Sequence, residues 1–389
     1  MRVQIMKEKD QKQPGLFSKE GLKARAKLYF VDAMGAMALG LFASLLIGTI
    51  FNTIGDKVPY LEFFKTIAKF AQGATGMAIG VAIALKLKMP PLIIFSCATV
   101  GSIANAMGAI IDGGKITTWA ATAKGESGVF YAAGPAGAFF AIIIACEIGK
   151  LVSQKTKVDI LVTPTVTILS GFAASWLICP IISYIMYYLG VFINTATGFA
   201  PIIMGIVISV VVGMILTLPI SSAAICSMVF SAQAIEAAIA SQGNADGLLL
   251  AGGAAAVGCC AQMVGFAVMS FKENKWGGLV SQGLGTSMLQ MGNIMKNPRI
   301  WIPPTLAGAV VGPLSTTVFK LKCTGVSAGM GTCGLVGPIG IFSDTGNSAS
   351  MWIGMILLCV ILPAVISLGV GQLFRKIGWI KDNDLKLDQ

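Results

Sequence analysis

From Tyr29 to Arg375 the chain is a succession of apolar runs, the longest near 29–55, 62–86, 91–112, 130–149, 160–192, 247–271 and 351–374. Runs of that length are membrane spans, and a bilayer core offers no water to an unpaired peptide group, so each run must satisfy its backbone within itself as a helix. Composition agrees: 55% hydrophobic residues, 12% charged residues and a mean hydropathy of +0.81 lie far outside the range of water-soluble domains. The expected fold is therefore all-α and polytopic, with about 8–10 transmembrane helices. Tails over 1–28 and 377–389 are too short to bury a core of their own.

The net charge of +11 does not indicate nucleic acid, because the basic residues form short clusters between apolar runs instead of one continuous face. Lys7, Lys9, Lys12, Lys19, Lys23, Arg25 and Lys27 precede the first run; Lys86 and Lys88, then Lys150, Lys155 and Lys157, fall between later ones; Arg375 and Lys376 follow the last. The positive-inside rule then places both termini in the cytoplasm and the protein in the plasma membrane. The first run is too long and lacks the small-residue cleavage site of a signal peptide, so it is read as a retained helix.

Two residue classes remove whole chemistries. There is no histidine, hence no histidine general base, metal ligand or phosphohistidine on this chain. The nine cysteines fall inside apolar segments with no CxxC pair and read as buried small fillers, with neither a metal site nor a cofactor implied. Walker A, HExxH and nucleophile-elbow sequences are absent.

The texture changes after residue 200. Helices of ordinary composition fill 29–200, where Gly40, Gly76 and Gly80, with Gly35 and Gly73, suit close helix packing. Beyond that point three stretches are too polar, or too rich in glycine and proline, to be plain spans. LPISSAAI (218–225) is broken by Pro219 and offers Ser221 and Ser222. Residues 285–317 carry Gln290, Asn293, Lys296, Asn297 and Arg299 beside four prolines. SAGMGTCGLVGPIGIFSDTGN (327–347) sets five glycines around Pro338 and ends on Asp344 and Asn347. Irregular backbone at membrane depth is tolerated where protein buries it or where it lines a watery cavity, so the three stretches are read as walls of a solute site, with two re-entrant hairpins among them.

Candidate side chains follow from that placement. Gln290, Asn293 and Asn297 share one helical face; amides that both donate and accept suit a neutral polyol, or equally serve as glue between helices. Gln233 and Glu236 lie three apart on another face, and Glu236 is the nominated embedded carboxylate, able to accept from solute hydroxyls or act as base, unless it merely ends a helix near water. Gln262 is the single amide of an otherwise apolar, glycine-rich run. Asp344 either touches solute or caps the helix bearing Trp352.

NPRIWIPPTLAGAVVGPLSTT, PISSAAI and GMGTCGLVGPIGIF together resemble the membrane IIC family of the bacterial sugar phosphotransferase system, nearest to its branch of perfringolysin regulator-like membrane proteins. The resemblance runs from about 25 to 376 and is most specific over 281–317. It implies a homodimer with a scaffold over 29–200 and a transport region over 201–376 that binds a sugar among Ser221, Ser222, Gln233, Glu236, Gln262, Gln290, Asn293, Asn297 and Asp344. It also implies separate IIA and IIB proteins for any phosphorylation, since this chain carries neither part and departs from well-studied members in having no histidine. Two functions fit these expectations: a carrier that moves a sugar or similar polar solute, and a membrane sensor that binds the solute without moving it.

Overall fold

A computed structural model describes residues 28–387 apart from 58–59, 113–114, 119–128, 157 and 219–221. The apolar runs fold as helices, giving an all-α polytopic membrane protein. Among the described residues six helices are long and apolar enough to cross a bilayer, with Phe63–Gly73 and Thr75–Lys86 forming a seventh span if the bent pair counts as one. Pro91–Ala106 and Pro201–Thr217 are apolar but shorter.

Several runs differ in detail from the sequence expectation. The 62–86 run bends by 46°. The 91–112 run stops as helix at Ala106 and continues as the strand β1 (Gly108–Asp112), which pairs antiparallel with β2 (Lys115–Thr118) and β3 (Val129–Ala132) in the order β2-β1-β3. Ala109 stands opposite both Thr118 and Tyr131. The cause is local: β-branched and aromatic residues together make up most of these strands, and a side chain at Gly108 would overlap the Tyr131 carbonyl. The run that contains Pro180 is one 41-residue helix, Asp159–Phe199, with Pro164 and Pro180 inside it. At 1.5 Å per residue it extends roughly 60 Å, about twice the hydrocarbon thickness.

Two cores hold the helices together. In the first, the helices of Met34–Asn52, Thr75–Lys86, Pro91–Ala106 and Gly134–Val152 meet around Met37, Ile79, Ile93, Cys97 and Phe139. Glycines permit this approach: a Cβ at Gly40 would collide with the Ala78 carbonyl, and one at Gly80 with that of Cys97, whereas Gly35 and Gly73 face open space. The second core surrounds the helix Asp246–Met269, which is buried along nearly its whole length. There Gly258 lies against the Ser209 backbone, and Gly252 and Gly253 against the carbonyls of Cys323 and Leu321. The nine cysteines are all free thiols and all but Cys333 are buried.

The C-terminal segment is not a loose tail. Ile380 and Leu385 are buried with Phe266, Met269, Ile294, Ile300 and Phe374 in a third apolar cluster. A segment too short to fold alone is ordered here by docking onto helices already in place.

Candidate functional site

The helix that begins at Ser222 ends at Val229, and a second begins at Ala232. Between them Ser231 is extended, and its side chain accepts the Ala234 amide at 3.1 Å, an N-cap that turns a continuous run into two pieces. The break exposes the Phe230 carbonyl, which accepts from Gly325 N at 2.8 Å. Gly325 has φ +54°, in the left-handed region where glycine carries no steric penalty, and its turn brings Thr324–Ser327 against the helix break. Ser222 Oγ donates to the Gly329 carbonyl at 2.6 Å and pins the far end of the same turn.

These broken segments enclose a cavity of about 340 Å³ with helix ends from the N-terminal half. Gln72 and Thr75 flank the 46° bend; Asn105 ends one helix and Pro135 begins the next; Ser227, Ser231, Gln233, Thr324, Ser327 and Asp344 come from the broken segments. Phe230, Ile235, Leu45 and Val326 supply apolar wall. Amides and hydroxyls around an apolar floor form a lining that orients a small polar solute by hydrogen bonds. Asp344 is the one charged side chain in it among the described residues, and its Oδ2 accepts from Thr324 Oγ1 at 2.8 Å. The cap of the next helix is Ser348, whose side chain accepts the Met351 amide, so Asp344 is left to the cavity. Gln233 packs against Gly134, whose φ of +57° opens the helix that follows.

The residues singled out from sequence separate into five groups. Gln233 and Asp344 line the cavity together, whereas Ser222 is outside its lining and bonds to the Gly329 carbonyl. Ser221 lies outside the described residues. Glu236, although three residues from Gln233 on the same helix, is exposed and does not line the cavity. Gln262 joins helices: its Nε2 donates to Thr305 Oγ1 at 3.0 Å and its Oε1 accepts from Trp301 Nε1 at 3.1 Å.

The fifth group is the amide face of Gln290, Asn293 and Asn297, which is occupied by the chain itself. Gln290 Nε2 donates to Gln282 Oε1 and to the Leu385 carbonyl, Asn293 Nδ2 to the Lys386 carbonyl, and Asn297 Nδ2 to the Trp379 carbonyl and Asp384 Oδ2. Their shared face was legible from spacing; their partner, more than eighty residues on, was not.

Sequence reasoning missed Gln72, Thr75 and Asn105 on the N-terminal side. Gln72 is an isolated amide in the middle of the 62–86 run and Asn105 one toward the end of the 91–112 run, a signal available in the sequence but shared with many residues that merely join helices or meet solvent.

Comparison with curated proteins and with solved structures returns no significant match. A family model described as the phosphotransferase system, EIIC, matches residues 31–387, thus all of the helices and the docked C-terminal segment. With nearly the whole chain matched, and with apolar helices of membrane-crossing length, this protein belongs to the EIIC family of the phosphotransferase system, a membrane component of sugar transport.

Proposed function

We propose that the chain is a carrier for a neutral sugar or polyol, and that the solute binds in the cavity between Gln72, Asn105, Gln233 and Asp344. The observation that carries this reading is the cavity's double origin: one wall comes from helix ends of the 29–200 region and the other from the breaks at 230–231 and 324–327. A site shared in this way changes its exposure if one region slides against the other, which supports an elevator-like displacement of the broken segments relative to the N-terminal helices. Solute hydroxyls donate to Asp344 and exchange hydrogen bonds with the amides, while Phe230 packs on the apolar side of the ring. Any phosphoryl group arrives from separate IIA and IIB proteins, and Asp344, in place of Glu236, is the carboxylate positioned to take the hydroxyl proton. A homodimer with cytoplasmic termini completes the proposal, supported by the family and the distribution of basic residues.

Uptake of labelled sugars and hexitols into proteoliposomes, with and without soluble phosphotransferase proteins, tests it. Asp344→Ala and Gln233→Ala should each weaken solute binding by about 10- to 100-fold, the scale of one hydrogen bond to a charged or buried group. Binding untouched by either change would remove the solute from this cavity. Retained binding with no flux would turn the carrier into a sensor.

A further inference from the structure

The charge inventory of the cavity carries a second step, which rests on the proposed solute site. Its lining holds amides, hydroxyls, apolar side chains and one carboxylate, with no lysine or arginine among the described residues. Asp344 is in no ion pair among those residues. Its only side-chain hydrogen-bond partner there is the Thr324 hydroxyl, at 2.8 Å. The nearest lysine in sequence, Lys322, directs its ammonium to Asp246 at 2.7 Å and is spent on that pair. On the facing walls the polar groups are uncharged: Gln72, Thr75 and Asn105 on one side, Ser227, Ser231 and Gln233 on the other.

We propose that Asp344 is a charge filter that admits neutral and cationic solutes and rejects anionic ones. An anionic group in this cavity would meet a carboxylate with no compensating cation, and it would lose water without gaining a charged partner. A neutral polyol loses nothing of the kind, because its hydroxyls donate to the carboxylate. An ammonium group in the same place would gain an ion pair. The filter therefore ranks solutes of one shape by charge, with amino sugar at least equal to neutral sugar and both well above the corresponding uronate. A phosphorylated product, carrying up to two negative charges, is disfavoured in the same cavity, so the lining that accepts the sugar also promotes departure of its phosphoester.

The test is equilibrium binding at pH 7 to the purified full chain in lipid nanodiscs, using matched sets of a hexose, its 2-amino analogue and its uronate. The expected result is a uronate at least about 100-fold weaker than the neutral member, the scale set by two like charges a few ångströms apart at an effective dielectric near 20. Asp344→Asn, which keeps the shape and removes the charge, should bring the uronate to within about 10-fold of the neutral sugar. A wild-type protein that binds uronate as well as hexose overturns the filter, as does a folded Asp344→Asn variant with an unchanged gap. Should that variant fail to fold, the wild-type order decides: an amino sugar weaker than the uronate overturns the filter. Absence of binding by any member of any set overturns the proposed site itself, a different outcome from failed discrimination.

Discussion

Asn293 Nδ2 donates to the backbone carbonyl of Lys386 at 2.8 Å, ninety-three positions along the chain. Beside it Asn274 Nδ2 donates to the Leu385 carbonyl at 2.7 Å, and Asn274 Oδ1 accepts from Leu387 N at 2.9 Å. Main-chain groups at 385–387 are thus read by side-chain amides, while Leu385 enters the apolar cluster with Ile294, Ile300 and Phe374. The arrangement ties the segment after the last helix to the irregular stretch near 271–300.

Leu385 is fully buried, so Leu385→Ala should destabilise the protein by about 2–4 kcal/mol, the cost of a large-to-small change in a packed site. Lys381→Ala, at an exposed position, should change little. Thermal unfolding in detergent compares the two. Equal melting temperatures for both variants would mean that the docked segment contributes nothing to the fold.

Acid should loosen this segment. The hydrogen bond and charge of Lys272, whose Nζ lies 2.9 Å from Asp382 Oδ1, hold the Asp382 carboxyl below the usual carboxylate range. A depressed folded value stabilises above the unfolded value of about 4 and ceases to do so as pH falls through the lowered one. Hydrogen exchange over 379–387 should therefore accelerate relative to its intrinsic rate between pH 6 and pH 3. Asp382→Asn should remove most of that acid dependence. An identical pH response in the variant would refute the assignment.

Helix packing in the N-terminal half should tolerate no side chain at Gly80. A Cβ there overlaps the Cys97 carbonyl, which belongs to backbone and cannot rotate away, so Gly80→Val should force the helices of Thr75–Lys86 and Pro91–Ala106 apart. At Gly73 nothing lies within 4 Å, and Gly73→Ala should be neutral or stabilising by up to about 1 kcal/mol. Fluorescence-detected size exclusion gives the readout. A monodisperse, wild-type-like Gly80→Val protein would show that this seam is looser than the structure has it.

Gln262→Leu should cost about 1–3 kcal/mol, because it leaves the Trp301 N–H without its acceptor in a half-buried setting. Solute affinity should hardly change, since Gln262 lies outside the cavity lining. Measuring stability and binding on the same preparation separates these effects, and a large loss of affinity in a stable variant would return Gln262 to the site.

Much of this architecture is legible along the chain because lipid is a simple solvent. Length and apolarity specify the helices around Gly134–Val152, Asp246–Met269 and Ala349–Lys376, and the glycine-rich interruption specifies where helices break at 325–347. Neither β1–β3 nor the continuity of Asp159–Phe199 through Pro180 is legible in the same way. A short apolar run containing β-branched residues fits strand or helix, and a proline in a long helix kinks or passes according to what packs around it.

The polar side chains mark the boundary between the two kinds of information. By itself the sequence established that amides and carboxylates inside a membrane protein must find partners, and so that Gln233, Gln262, Gln290, Asn293, Asn297 and Asp344 mattered. Only the tertiary structure decided which partner each has: an open cavity for Gln233 and Asp344, a neighbouring helix for Gln262, and the chain's own C-terminal carbonyls for Gln290, Asn293 and Asn297. The reason is physical. An amide is satisfied equally well by a solute hydroxyl, a tryptophan N–H or a peptide carbonyl, and what brings one of these within 3 Å is the packing of segments distant in sequence.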